Sequence, residues 1–372
     1  MSEIQMVDLK SQYRKIESEI QLRLKKCMEN AAFINGDEVS IFQNELEKYL
    51  HVKHVIPCAN GTDALQIAMM ALDLQPGDEV IVPAFTYVAT AEVIGLLKLK
   101  PVMVDVDPLT FNVTAEIIER AITSKTKAIV PVHLFGQSCD MEPIIKLAKA
   151  HNLYVIEDNA QAIGSVYTSP DDSKKFAGCI GDIGTTSFFP SKNLGAYGDG
   201  GAIMTNNDEL AQKIRMVANH GQSKKYYHEV IGVNSRLDTM QAAILNVKLP
   251  LLNTYCKARE KAATHYDNLL SPNLNIEIPF RAHYSTHVFH QYTVKVKDGK
   301  RNALQEFLKN HHIPSMIYYP VPLYKQKAFA SYYSSLPLQN TEKMCEEVLS
   351  LPMHTELSFE TQTHIAHVVN SF

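Results

Sequence analysis

The stretch TSFFPSKNLGAYGDGGAIMTN, residues 186–206, carries a single lysine, Lys192, between an apolar run and a loop rich in glycine. Lysine is seldom buried without a reason, so the position admits two interpretations. One is a surface turn with a solvated ammonium, and the other is a lysine that reacts with a cofactor. The β-rich runs IGTTSFF and GGAIMTN on either side predict two strands, so the lysine follows the end of a strand.

Upstream of this stretch, short β-rich runs alternate with helical patterns. The predicted strands are HVIPC (54–58), EVIVPAF (79–85), KPVMVDVD (100–107), KAIVPVHLF (127–135) and LYVIED (153–158). The predicted helices between them are TDALQIAMMALDL, ATAEVIGLLKL, TAEIIERAI and MEPIIKLAKAHN. This alternation predicts an α/β fold with a mixed, mostly parallel sheet covered by helices on both faces. Ligands in such folds bind beyond the carboxyl ends of the strands.

The pattern changes after Arg236. A long helical pattern over residues 235–270 is broken only by Pro250, where we expect a kink or a stop. The strand QYTVKVK, a helix around NALQEFLKNH, the proline-rich IPSMIYYPVPL and a final helical segment follow. We therefore predict a large domain over residues 1–250, which includes an N-terminal helical segment, and a smaller α+β domain over residues 251–372.

Composition argues against several classes of protein. With 372 residues, 45% of them hydrophobic and 20% charged, the chain is able to bury a large core. A formal net charge of −4 without a long basic run predicts no binding to nucleic acid or to an anionic membrane. The six cysteines show no metal-ligand spacing, so we expect reduced thiols, no metal and a cytoplasmic location. No run approaches membrane-spanning length, and the N-terminus is polar.

Three further strand ends carry residues that suit one cofactor. HVIPC leads through Gly61 and Thr62 into a helix whose N–H groups would bind a phosphate, although an ordinary turn with a threonine cap explains the same residues. LYVIED places Glu157 and Asp158 on opposite sides of a strand, where one acid pairs with a ring nitrogen or simply caps a helix. The rings of PAFTYVAT suit stacking on a planar cofactor or packing in the core.

Lys192 completes this set. A lysine amine forms a Schiff base with a carbonyl only when it is neutral, and burial favours the neutral form. A phosphate anchor, an acid for a ring nitrogen, an aromatic ring and a Schiff-base lysine are together what pyridoxal 5′-phosphate (PLP) requires. Their order along the chain indicates a PLP-dependent enzyme.

Five segments resemble one family of such enzymes. The segments CANGTDALQIAMMAL, FTYVATAE, VIEDNAQA, TSFFPSKNLGAYGDGGAI and GVNSRLDTMQAAIL resemble the DegT/DnrJ/EryC1/StrS family of PLP-dependent nucleotide-sugar aminotransferases, and the resemblance covers nearly the whole chain. It implies fold type I of the PLP-dependent transferases, the aspartate aminotransferase-like fold. Within the family the chain looks most similar to enzymes that aminate C3 of UDP-2-acetamido-2-deoxy-3-oxo-glucuronate, with glutamate as donor, in bacterial surface polysaccharide (O-antigen) biosynthesis.

The resemblance implies a role for each candidate residue at the cofactor. Lys192 would hold PLP as a Schiff base and move the proton, and Asp158 would keep the pyridine nitrogen protonated. Gly61, Thr62 and Ser187 would bind the phosphate.

Other roles concern the ring, the substrate and the partner subunit. Tyr87 would stack on the ring, and Gln161 would lie near the cofactor oxygen. Asn234 would reach the phosphate of the neighbouring subunit, and Arg236 would cross the same interface toward the substrate. The family thus implies a homodimer with shared active sites.

The chain departs from the uronate enzymes at one motif. Where they are expected to have His-Tyr-Pro, this sequence has Tyr318 and Tyr319 before Pro320. Tyr318 and Tyr319 are therefore candidate substrate-binding residues, but tyrosine brings no charge to a carboxylate at neutral pH. Two alternatives stay open: a dTDP-3-oxo-6-deoxyhexose as substrate, and an inactive scaffold or regulator of the same fold.

Overall fold

The computed structural model describes residues 3–332 and 337–372. Its strands are β1 (His54–Cys58), β2 (Glu79–Pro83), β3 (Lys100–Val104), β4 (Thr126–Ile129), β5 (Tyr154–Asp158), β6 (Val166–Thr168), β7 (Lys174–Phe176), β8 (Ile183–Ser187), β9 (Gly201–Thr205), β10 (Gln222–Lys224), β11 (Tyr227–His228), β12 (Ile276–Glu277), β13 (Tyr292–Val296) and β14 (Val348–Leu351). Its α-helices are α1 (Leu9–Glu29), α2 (Asp37–Leu50), α3 (Gly61–Ala71), α4 (Ala89–Leu96), α5 (Ala115–Glu119), α6 (Met141–His151), α7 (Asp208–Ala218), α8 (Thr239–Lys248), α9 (Leu252–Leu270), α10 (Arg301–Asn310), α11 (Gln339–Glu347) and α12 (Phe359–Ser371).

The main sheet has seven strands in the order β1-β9-β8-β5-β4-β2-β3. The pairs from β8 through β5, β4 and β2 to β3 are parallel, whereas β9 is antiparallel to both β1 and β8. All five residues of β2 are buried, as expected for a parallel strand that helices cover on both faces. The predicted α/β class with a mixed, mostly parallel sheet is confirmed.

Some predicted elements end earlier in the structure. HVIPC is β1 residue for residue, but the strand predicted over residues 127–135 ends at Ile129. Pro131 follows and has no N–H to donate to a neighbouring strand, so only Val132 continues, as an isolated bridge. The helices predicted over residues 62–74 and 89–99 end where Asp73 and Lys98 adopt left-handed backbone, with φ of 55° and 60°.

The C-terminal part contains the predicted elements and two strands that the sequence did not predict, β12 and β14. The long helical stretch is broken at Leu249–Leu251, a 3-10 turn around Pro250 that separates α8 from α9, so the predicted interruption is confirmed. The order β12-β13-β14 forms a three-stranded antiparallel sheet beside α9, α10 and α12. However, Leu323 returns to the large sheet, where its N–H donates to the Ala84 carbonyl at 3.0 Å. The division at residue 250 stays a prediction.

The sequence pattern did not reveal the short paired strands. β6 with β7 and β10 with β11 form two-stranded ribbons of two or three residues per strand, too short for a period-two pattern to stand out. Over the ranges that the structure describes, no helix combines the length and the apolar character needed to cross a membrane.

Candidate active site

Asp158 and Glu157 end β5 and point in opposite directions. Asp158 is 6% exposed, and its Oδ2 accepts a hydrogen bond from the Thr90 hydroxyl at 2.7 Å. Its Oδ1 accepts from the N–H of Ala160 at 3.1 Å. Within the described residues it forms no salt bridge, so this buried carboxylate keeps acceptor capacity for a cationic group. Thr90, a hydroxyl in the first turn of an apolar helix, was missed by sequence reasoning, although its position was a usable signal.

Glu157 lies on the side of β5 opposite Asp158, where it anchors the backbone. Its Oε2 accepts from His133 Nε2 at 2.8 Å and from the Gly178 N–H at 2.8 Å, and its Oε1 accepts from the Gly181 N–H at 2.7 Å. The N–H of Cys139 donates to His133 Nδ1 at 3.1 Å, so His133 carries its proton on Nε2. Burial would raise the pKa of Glu157, but these hydrogen bonds outweigh it and lower the pKa.

Lys192 lies in a tight turn after β8 and is partly buried. Its N–H donates to the Phe189 carbonyl at 2.9 Å, and Ala196 N–H closes the loop on the Phe188 carbonyl at 2.8 Å. Burial lowers the pKa of the Lys192 amine to about 8, and the nearby charge of Asp158 opposes that change. The neutral fraction of this amine at a given pH is therefore larger than that of an ordinary lysine.

Gly61 and Ser187 pack closely together at the start of α3. A Cβ at Gly61 would lie 2.8 Å from the Ser187 Cβ, closer than side chains approach, so only glycine fits. Asn60 caps the helix by accepting from the Asp63 N–H at 2.8 Å, and Thr62 occupies the first turn, half-buried. A helix N-terminus beside a glycine and a serine hydroxyl is suited to a phosphate group. The structure thus brings Gly61, Thr62 and Ser187 together.

Aromatic rings cluster beside Gln161, three residues after Asp158. Gln161 Nε2 donates to the Tyr319 hydroxyl at 3.1 Å, and its Oε1 accepts from the Phe135 N–H at 2.8 Å. The Tyr319 ring centroid is 6.3 Å from that of Tyr87 and 6.0 Å from that of Tyr318. Burial, with the nearby charge of Asp158 as a lesser cause, raises the pKa of Tyr319. Tyr87 is 57% exposed, which leaves a face for a planar ligand.

The segment around Asn234 and Arg236 lies beside the start of α3. Between them, Ser235 is buried, and its Oγ accepts from the Ala59 N–H at 3.0 Å. Asn234 is exposed and Arg236 is partly buried. Their predicted roles toward a neighbouring subunit stay predictions.

The residues present fit PLP. Asp158 offers a buried acceptor for a protonated ring nitrogen, and Tyr87 offers a ring face. Gly61, which packs against Ser187, leaves the start of α3 without a side chain at that position. Lys192 has an amine of lowered pKa. Fold and site together define a PLP-dependent transferase of the aspartate aminotransferase-like class.

Comparison with known proteins supports this assignment. The chain belongs to the DegT/DnrJ/EryC1/StrS aminotransferase family, whose sequence profile matches residues 14–370. It is 48% identical to a "pleiotropic regulatory protein" of Geobacillus stearothermophilus, over 99% of this chain and 98% of the other. It is 45% identical to the UDP-2-acetamido-2-deoxy-3-oxo-D-glucuronate aminotransferase of Pseudomonas aeruginosa, over 95% and 96%. It is 44% identical to a UDP-N-acetyl-3-dehydro-alpha-D-glucosamine 3-aminotransferase of Acidithiobacillus ferrooxidans, over 98% and 97%.

Solved structures share the fold and the cofactor chemistry. DesV of S. venezuelae in complex with a ketimine intermediate superimposes with a TM-score of 0.95 at 34% identity, covering 100% of this chain and 98% of the other. NtdA of Bacillus subtilis with bound cofactor PMP superimposes with a TM-score of 0.88 at 33% identity, covering 96% and 82%. The expected fold, PLP/PMP as cofactor and the aminotransferase class are confirmed.

Proposed function

We propose that the protein transfers an amino group from L-glutamate to the C3 keto group of a nucleotide sugar, with UDP-2-acetamido-2-deoxy-3-oxo-glucuronate as the first candidate. The single observation that carries an enzymatic function is the Lys192 amine, of lowered pKa, within electrostatic reach of Asp158. C3 of a UDP-sugar is also the position named for two relatives at 45% and 44% identity. The choices of the uronate as substrate, of glutamate as amino donor and of O-antigen synthesis as the pathway are further parts of this proposal.

In this reaction PLP supplies an aldehyde that binds amines and a ring that withdraws electrons from the reacting carbon. Lys192 would hold that aldehyde through its neutral amine and would move the proton at the reacting carbon. Asp158, oriented by Thr90 and the Ala160 N–H, would hold the proton on the ring nitrogen. The start of α3 with Ser187 would hold the phosphate group.

We assign recognition of the substrate sugar to Arg236, Tyr318 and Tyr319. Arg236 is the cation that we assign to a C6 carboxylate, because a guanidinium binds carboxylates in a bidentate manner. Tyr318 adds a hydroxyl and no charge. The missing charge at Tyr318 favours a second candidate, a UDP- or dTDP-linked 3-keto sugar that lacks the carboxylate, such as a dTDP-3-oxo-6-deoxyhexose.

We further infer a homodimer whose partner supplies Asn234 and Arg236. Support comes from the segment before Asn234, where Tyr226 is 80% and Ile231 is 87% exposed in the isolated chain. Phe189, close to Lys192, is 52% exposed. Large apolar side chains left exposed on a single chain are typical of an interface. For location we infer the cytoplasm, which the six unpaired thiols support.

One panel tests the reaction and the substrate together. Purified protein with PLP and glutamate is given 3-keto UDP- and dTDP-sugars with and without a C6 carboxylate, and 2-oxoglutarate is measured over many turnovers. Turnover that needs the carboxylate supports the uronate, and turnover without it supports the second candidate. No turnover with any sugar, equal to the Lys192→Ala control, would instead indicate the scaffold or regulator.

A further inference from the structure

Lys248 is a buried lysine that the proposed reaction does not use. It is the last residue of α8, its side chain is 1% exposed, and no carboxylate oxygen of the described residues lies within 4.0 Å of its Nζ. A buried cation without a counter-ion is costly, so such a residue needs specific compensation. Burial lowers the pKa of Lys248 to about 7.

The compensation comes from the loop that carries Lys192. Lys248 Nζ donates to the Gly195 carbonyl at 2.7 Å, and it lies 4.4 Å from the centroid of the Tyr197 ring. A carbonyl oxygen and an aromatic face both stabilise an ammonium group. Both partners therefore belong to one short segment that begins three residues after Lys192.

A second residue of α8 holds the same segment. Gln241 Oε1 accepts from the Tyr197 N–H at 2.9 Å, and a Cβ at Gly198 would lie 2.9 Å from Gln241 Nε2. Gln241 and Lys248 are two helical turns apart, so they lie on one face of α8. That face contacts the loop at Gly195, Tyr197 and Gly198.

The loop itself has little freedom to absorb a change. A Cβ at Gly195 would lie 2.3 Å from the Pro190 carbonyl oxygen, so the chain doubles back tightly around Lys192. Phe188 N–H donates to the Gly200 carbonyl at 2.7 Å and closes the base of the loop. Displacement of Gly195 would therefore move the backbone that aims the Lys192 amine.

We propose that Lys248 is a positioning residue for Lys192: from α8 it fixes Gly195 and Tyr197 and thereby holds the loop that presents the Lys192 amine. The link to the amine's reactivity rests on the proposed function, whereas the restraint on the loop does not. Gln241 acts as the second contact of the same restraint.

The test uses Lys248→Met, which keeps the apolar stem and removes the donor, with Gln241→Leu as a second variant. Lys257→Met, at an exposed lysine of α9, is the matched control. Hydrogen exchange of the full-length protein without PLP should show the amides of Lys192, Ala196 and Tyr197 exchanging about tenfold faster in both variants, as expected for loss of one hydrogen bond. The amides of β2 and β5 should keep wild-type rates.

A second readout concerns the amine. On addition of PLP to the cofactor-free protein, attachment at Lys192, trapped by borohydride, should be about tenfold slower in Lys248→Met than in Lys257→Met. Unchanged exchange at these three amides in Lys248→Met overturns the proposal, whatever the result for Gln241→Leu, and so does faster exchange spread evenly over the whole chain. If exchange changes as expected but PLP never attaches to Lys192, the proposed function fails and the restraint stands.

Discussion

The hydroxyl of Thr90 donates to Asp158 Oδ2 at 2.7 Å, and both side chains are buried. This contact joins the first turn of α4 to the end of β5. It fixes the Asp158 carboxylate, which is able to accept further hydrogen bonds. The acid assigned to the cofactor ring is thus oriented by a residue 68 positions away in sequence.

Thr90→Val is expected to weaken the enzyme without unfolding it. Valine matches the shape of threonine and removes the donor, and a hydrogen bond to a charged group contributes about 1.5–3 kcal/mol, so kcat/KM should fall roughly tenfold to a hundredfold. Steady-state kinetics and PLP titration measure the effect. Thr90→Ser, which keeps the hydroxyl, should stay near wild type; equal losses in both variants would mean that the hydroxyl is not the cause.

Gly61→Ala should reduce the affinity for PLP. The new Cβ would lie 2.8 Å from the Ser187 Cβ, so either Ser187 or the start of α3 must shift where the phosphate is expected to bind. Equilibrium titration of the cofactor-free protein should give a Kd about tenfold higher or more. Gly95→Ala is the control, because the nearest atom to its Cβ would be the Tyr332 hydroxyl at 3.5 Å, an ordinary contact. Wild-type affinity in Gly61→Ala would remove this position from the phosphate site.

The rate of PLP attachment to Lys192 should rise with pH around a midpoint of about 8, because burial lowers the pKa of this amine to that value and only the neutral amine reacts. Asp158 opposes the lowering, so Asp158→Asn should move the midpoint to lower pH. Borohydride trapping across a pH series gives the profile. Asp199→Asn, at an exposed acid in the same loop, should leave the midpoint in place. A midpoint that stays at its wild-type pH in Asp158→Asn would contradict the electrostatic link.

Glu157→Gln should destabilise the fold by about 2–3 kcal/mol, because the new amide N–H groups face backbone donors in a buried site. Urea unfolding at pH 7 measures the loss of stability, and Glu119→Gln, at an exposed acid, serves as the control.

The stabilisation by Glu157 should also depend on pH. The folded-state pKa of Glu157 is lowered, so its stabilisation is present above its unfolded-state pKa of 4.5 and is lost as the pH falls through the folded-state pKa. The difference between wild type and Glu157→Gln should therefore shrink below pH 4.5, and a constant difference would speak against this origin.

Mixed dimers test whether Arg236 acts on the partner's site. If Lys192→Ala and Arg236→Ala chains exchange freely, half of the dimers are hybrids with one intact site, and about a quarter of wild-type activity should return. Mixing Lys192→Ala with Asp158→Asn is the control, because both lesions then disable their own chain's site and no activity should return. Absence of recovery in the first mixture would place Arg236 in its own chain's site.

The amino-acid sequence alone was sufficient for the α/β class and for the positions of the main strands along the chain, and it predicted that Lys192 and Asp158 serve one cofactor site. Alternating apolar runs, turn residues and local motifs encode these features within short windows, and each strand end carries its own chemical groups. The interruption at Pro250 followed from the missing N–H of proline.

Tertiary structure decided which groups meet across long separations. In the folded chain Glu157 accepts hydrogen bonds from the N–H groups of Gly178 and Gly181, on the side of β5 opposite Asp158. Thr90 contacts Asp158, and Lys248 contacts Gly195. Periodicity shows which side of an element is apolar, but a buried polar group pairs with whatever partner packing brings within hydrogen-bond distance, and that partner has no signature near it in the chain.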